Sequence, residues 1–234
     1  MKQLRIFSIL MAVLLMASCN KGDDQASGTG DVIIVAKQSG STTLYGISIY
    51  AYTLSAFTSV TAVSDADPGK TYTLKSDQGF KTSFYFETPE GEFTTSKPAA
   101  STYNFSAMFE NGVSQKFEDI LTDAVLPIPS FEQCAYNEAL HRLELEWPLI
   151  NGANSYAVNI LDGSKIVFKS IELKIIEQGT FFVRADGGGW EPSFTPESGK
   201  TYTVRLFAYM HEPGGGGLHI QSISIADRPV VWGD

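Results

Sequence analysis

The sequence predicts an all-β protein built as two tandem β-sandwiches. Three observations carry that expectation. Apolar and polar residues alternate with period two through most of the chain. Clusters of Gly, Pro, Asn and Asp interrupt the alternation every 8–12 residues or so. A segment of the first half also returns, weakly, about 100 residues later, which is the length of one sandwich.

The chain opens on MKQLRIFSILMAVLLMASCNKGDD, a basic head (Lys2, Arg5) followed by an apolar run from Ile6 to Met16. The run is too short to span a bilayer comfortably and ends in small residues, the layout of a cleaved export signal. Met16-Ala17-Ser18-Cys19 resembles a bacterial lipoprotein signal box. The resemblance implies cleavage after residue 18 and a diacylglycerol on Cys19. The acidic stretch Asn20 to Asp24 is similar to the tag of surface-exported Bacteroidetes lipoproteins, which implies a lipid-anchored outer-membrane protein facing the cell surface. Residues 19–30 are small and polar, and they read as a flexible tether.

Strand patterns then follow in order. Asp31 to Val35, Gly46 to Tyr52 and Lys81 to Glu87 fall in the first half. Leu143 to Trp147, Tyr156 to Ile160, Thr201 to Tyr209 and Ile220 to Ile225 fall in the second. Ser170 to Gln178 is expected as strand because Ile166-Val167-Phe168 and Phe181-Phe182-Val183 flank it. Turns are expected at Asp67-Pro68-Gly69, Thr88 to Gly91, Asn151-Gly152, Asp162-Gly163 and Gly214 to Gly217.

The repeat pairs Ser101 to Phe109 with Lys200 to Ala208. Each is preceded by a proline (Pro98, Pro196) and, before that, a phenylalanine (Phe93, Phe194). The alternating prolines of Leu126-Pro127-Ile128-Pro129 stiffen the chain between the copies. These features give two domains, residues 31–127 and 128–234.

Trp147-Pro148, Ser155 to Ile160 and the run from Phe194 through Tyr202 to Leu206 resemble a fibronectin type III module. The resemblance implies that Trp147, Tyr156, Val158, Val204 and Leu206 are core. It also implies that the Tyr202 hydroxyl closes a corner on upstream backbone. The first domain shares only Phe93, Pro98 and Tyr103 and lacks the tryptophan, so it is expected to be immunoglobulin-like by analogy with its neighbour.

Composition narrows the function. Removing residues 1–18 takes away two basic and no acidic residues, leaving 15 basic against 26 acidic and a net charge of −11. An acidic body excludes nucleic acid and electrostatic docking on anionic lipid, so attachment to the membrane rests on the acyl chains. Cys134 has no partner once Cys19 carries lipid, so no disulfide framework is available.

Enzyme signatures are absent: no G-x-S-x-G, no phosphate-binding glycine loop, no H-E-x-x-H. His211 and His219 bracket the loop Glu212 to Gly217, and only Glu212 lies close in sequence as a third donor. A four-glycine loop supports a metal site poorly, so both read as solvated strand-end histidines and no cofactor or metal is expected. Asp65 to Gly69 reads as a turn, since it lacks the remaining ligands of a calcium loop. Many carboxylates are present, but no pair stands out as a glycosidase couple.

Aromatic placement is the remaining signal. Trp190 follows Ala185 to Gly189 and precedes Glu191-Pro192, outside any periodic strand. An indole on a glycine-rich loop can stack on a sugar face while Asp186 and Glu191 accept hydroxyl hydrogen bonds. The competing reading is a ring folded back to cap the sandwich. Tyr50, Tyr52 and Tyr85 are expected on an outer strand face. The sequence thus points to a non-catalytic envelope binding or adhesion protein, with a glycan or an envelope protein as partner and Trp190, Asp186 and Glu191 as candidate site. The alternative is an assembly subunit of a surface complex or pilus-like fibre, donating the strand Val32 to Val35.

Overall fold

The computed structural model describes residues 27–77, 79–174, 179–214 and 219–233. The signal peptide (residues 1–18), the lipid-attachment residue Cys19 and the tether as far as residue 26 lie outside the described residues.

Seven strands build the first unit: β1 (Gly28–Ser39), β2 (Thr42–Thr53), β3 (Phe57–Ser64), β4 (Asp67–Asp77), β5 (Phe80–Glu87), β6 (Ser101–Phe109) and β7 (Ser114–Leu121). They run β1-β2-β5 on one side and β4-β3-β6-β7 on the other. A short β4–β5 pairing, Lys75 with Tyr85 and Ser76 with Phe84, joins the two sides. Inward residues such as Ile34, Ile49, Val60, Phe105 and Leu121 fill one core.

The second unit contains β8 (Gln133–Asn137), β9 (Arg142–Trp147), β10 (Ser155–Asp162), β11 (Lys165–Lys169), β12 (Leu173–Lys174), β13 (Gly179–Val183), β14 (Lys200–His211) and β15 (Ile220–Trp232). A three-stranded sheet β13-β9-β8 faces β11-β10-β14-β15. Three strands thus stand against four around the second core. Trp147 and Tyr156 meet in the core with ring centroids 5.6 Å apart. The Tyr202 hydroxyl accepts the Glu197 amide at 3.0 Å, so the corner forms as expected. Gly179, opposite Trp147, is obligatory: a Cβ there would drive into the Trp147 carbonyl and indole. Val125 packs on the first core and Leu126 belongs to the second, so the chain passes from one to the other between them.

The two units are not strung end to end. β1 pairs in parallel with β15 (Ile34 with Ser222 through Lys37 with Ile225), while its other side pairs with β2 along its full length. One continuous sheet therefore runs through both sandwiches. Val32 to Ala36 is buried on both faces, as a parallel strand requires, which explains its unbroken apolar run. The strand proposed from sequence as easily donated is thus an interior one, paired on both sides.

Three further expectations differ from the structure. Residues 28–30 of the expected tether belong to β1. Gly30 and Gly28 are small because Phe105 and Phe117 occupy the space above them: a Cβ would sit 2.5 and 2.7 Å from those rings. The turn expected at Asp67-Pro68-Gly69 forms two residues earlier, at Asp65-Ala66, because Ser64 pairs with Asp67 and Pro68 is accommodated beside a bulge. Of Ser170 to Gln178, only Leu173–Lys174 forms a strand; residues 170–172 do not, and 175–178 lie outside the described residues.

Candidate functional site

Trp190 is held along the edge of β11. The Lys169 amide donates to the Gly189 carbonyl and the Glu191 amide to that of Val167, so residues 189–191 run beside the strand. The indole is half-buried. It stacks on Phe194 at 5.5 Å and meets Phe168 and Trp232 edge-on at 5.0 and 5.4 Å. Its N–H donates to the Arg184 carbonyl at 2.8 Å. Gly189, at φ 102°, permits this approach, since a Cβ would collide with Phe168 and the Lys169 carbonyl. Asp186 is exposed and pairs with Arg184 at 3.1 Å. Glu191 follows the indole directly, its backbone committed to β11. Three rings and a hydrogen bond therefore hold Trp190 as a cap on the sandwich end.

A different aromatic group lines an opening on the first sandwich, with Tyr45 and Phe86 partly buried and Tyr72 and Tyr103 buried in the core. A cleft of about 320 Å³ is walled by Tyr45, Tyr72, Phe86 and Tyr103, with Asp67, Lys70, Glu92, Ser64 and Thr94 among its polar lining. Tyr72 meets Phe86 edge-on at 5.1 Å and lies 6.1 Å from Tyr103. Lys70 Nζ stands 4.9 Å above the Tyr72 ring. Burial, with Tyr72 adding to it, pushes the Tyr103 hydroxyl up to about 12, so it stays a neutral donor. The backbone bridge between Tyr45 and Thr94 fixes one wall. On the outer face of the same sandwich Tyr50 stacks with Tyr52 and Tyr85 at 5.9 and 6.2 Å, where the alternation placed them. The sequence signal for the cleft was present in Tyr103 and Tyr72, but each reads alone as a core residue of its own strand.

The two histidines expected to be alike are separated. His211 Nε2 lies 3.5 Å from Glu172 Oε1, beside a second cleft of about 360 Å³. His219 instead joins Glu212 and, from the other sandwich, Asp119. Nearby, Asp31 accepts the Ile220 amide at 3.3 Å and Asp119 the Val32 amide at 2.7 Å. Desolvation, opposed in part by the Ile220 hydrogen bond, pushes Asp31 up to about 7. Cys134 is pushed up to about 11 by burial, the opposite of an activated nucleophile.

The strand order and the tyrosine corner define the class: an all-β protein of fibronectin type III-like sandwiches. No family model matches the chain, and no curated protein matches it. Among solved structures it is similar to Tp47, the 47-kilodalton lipoprotein of Treponema pallidum, at 12% identity and TM-score 0.39, over 87% of this chain and 49% of that one. A tetra-tandem repeat in the extending region of a large adhesion protein matches at 17% and 0.26, over 87% and 50%. A two fibronectin type III domain segment from chicken tenascin matches at 13% and 0.27, over 86% and 99%. The chain spans about half the length of the first and second of these. No helix among the described residues is long and apolar enough to cross a membrane.

Proposed function

We propose that this is a non-catalytic binding protein, anchored to the outer membrane through lipid on Cys19 and displaying its two sandwiches at the cell surface. The observation that carries the binding role is the open cleft walled by Tyr45, Tyr72, Phe86 and Tyr103. Aromatic walls beside a carboxylate and an ammonium suit a ligand with apolar ring faces and a periphery of hydroxyls, which is the chemistry of a glycan. Trp190 serves this reading as structural support, because its ring is engaged by Phe194, Phe168 and Trp232.

A glycan array probed with the full chain beside Tyr45→Ala tests the proposal. Binding should fall at least tenfold in the variant and persist in Trp190→Phe. A blank array, or binding indifferent to Tyr45, overturns it. The anchor is tested separately: Cys19→Ala should abolish palmitate labelling and release the protein from membranes.

A further inference from the structure

Four titratable side chains converge where the sandwiches join. Asp119 comes from β7 of the first, Glu212 and His219 from the two sides of the β14–β15 connection in the second, and Asp31 from β1 between them. One ligand atom from each of Asp119, Glu212 and His219 lies within 4.8 Å of the others. Asp119 is only 9% exposed. Glu212 Oε1 is sealed from solvent and accepts no hydrogen bond. A buried acceptor without a donor is a destabilising arrangement unless another group satisfies it. Among the described residues, no lysine or arginine forms an ion pair with these carboxylates. The cluster is short of positive charge, and one of its acceptor atoms has nothing to bind.

We propose that Asp119, Glu212 and His219 hold one divalent transition-metal ion of the zinc type, fastening the two sandwiches at their junction. The donor chemistry selects the ion. Two carboxylates balance its charge, while an imidazole nitrogen favours zinc over calcium or magnesium, which take oxygen ligands. Donors bound at about 2.0–2.2 Å from zinc stand roughly 3.5 Å apart, so occupation requires a modest inward movement of the three side chains. The β14–β15 ladder closes with His211 opposite Ile220 and one further bond, from the Glu212 amide to the His219 carbonyl at 3.1 Å, which sets Glu212 and His219 side by side. From sequence, His211 and His219 form the candidate pair with Glu212 as third donor, whereas the structure sets His211 apart beside Glu172. Asp119 takes its place from another sandwich, 93 residues before Glu212.

The test is a zinc chloride titration of the untagged full-length protein after treatment with a chelator, followed by calorimetry and by thermal melting. One ion per chain is expected, with the melting temperature raised by about 5–10 °C at a hundredfold excess over Kd. Calcium chloride should give no such shift. Glu212→Gln and His219→Gln, both of similar size to the native residue, should lose the response, and His211→Gln should keep it. Absence of binding in the wild-type titration, which depends on no variant, overturns the proposal. So does a zinc response that survives the Glu212→Gln/His219→Gln double variant or disappears in His211→Gln.

Discussion

Cys134 lies on β8 against the second core, where burial raises its thiol and Arg228 only partly offsets the effect. At pH 8 roughly one folded molecule in a thousand carries the thiolate, against a substantial fraction once unfolded. Alkylation by iodoacetamide, read on the Cys134 peptide, should therefore accelerate about a hundredfold in urea. Because the folded pKa is the higher one, the neutral thiol's contribution to stability is complete below the unfolded value and fades as pH rises toward 11. Trp190 and Tyr202 sit at the same scale. Trp190→Ala removes a ring packed on three others and should cost about 2–4 kcal/mol in chemical denaturation. Tyr202→Phe strands the Glu197 amide and should cost about 1–2 kcal/mol. Residues of this kind were legible in the sequence when their partners are local: Tyr202 reaches back five residues and Trp147 meets Tyr156 nine residues on. Asp119 was not legible, because Val32 reaches it across the first sandwich and Glu212 and His219 reach it only by the joining of the two sandwiches.

Among the elements, β1 and β15 depart furthest from simple alternation, and for one reason. In β15 the polar residues Gln221, Ser222 and Ser224 are buried, while Ile220, Ile223 and Ile225 are half-exposed. The inversion follows from what lies on that strand. Gln221 Nε2 donates to the carbonyls of Thr122 and Ala124, and Ser224 Oγ donates to that of Leu126 at 2.7 Å. A segment of irregular backbone crosses here, and its peptide groups need polar partners. Period two was read correctly as strand, but the face that turns inward depended on a segment 100 residues away. β1 did carry a usable signal, since Val32 to Ala36 is continuous rather than alternating. Ile34 packs in the first core and stands opposite Ser222 on β15, so Ile34→Ala should lower stability by about 2–5 kcal/mol. Differential scanning calorimetry should show both sandwiches shifting together; a second transition left at its original temperature would contradict the shared role of β1.

At the scale of the molecule, two cores share one continuous sheet, and the sequence resolved the cores but not their fusion. Tandem repeats with a proline-rich junction suggest units in a row. Nothing local in the chain specifies that the first strand of one will pair with the last strand of the other. The consequence for stability is a single cooperative unit. Calorimetric and van't Hoff enthalpies of the intact chain should agree. A fragment of residues 128–234 would leave the β15 edge bare from Ser222 to Ile225, with two isoleucines beside it. Sedimentation should find that fragment self-associated; a stable monomer would show that the second sandwich does not need β1.

The parallel β1–β15 pair also fixes an order of events during export. In a chain exported as proposed above, β1 emerges well before its parallel partner β15: Asp31 and Ile220 are 189 residues apart. Until β15 arrives, one edge of the apolar run Val32 to Ala36 stays unpaired, which is the condition under which passing chains are captured. Secretion yield should therefore be more sensitive to truncation within the last fifteen residues than to substitutions of comparable thermodynamic cost elsewhere. Pulse-chase labelling of periplasmic protein would measure that difference directly.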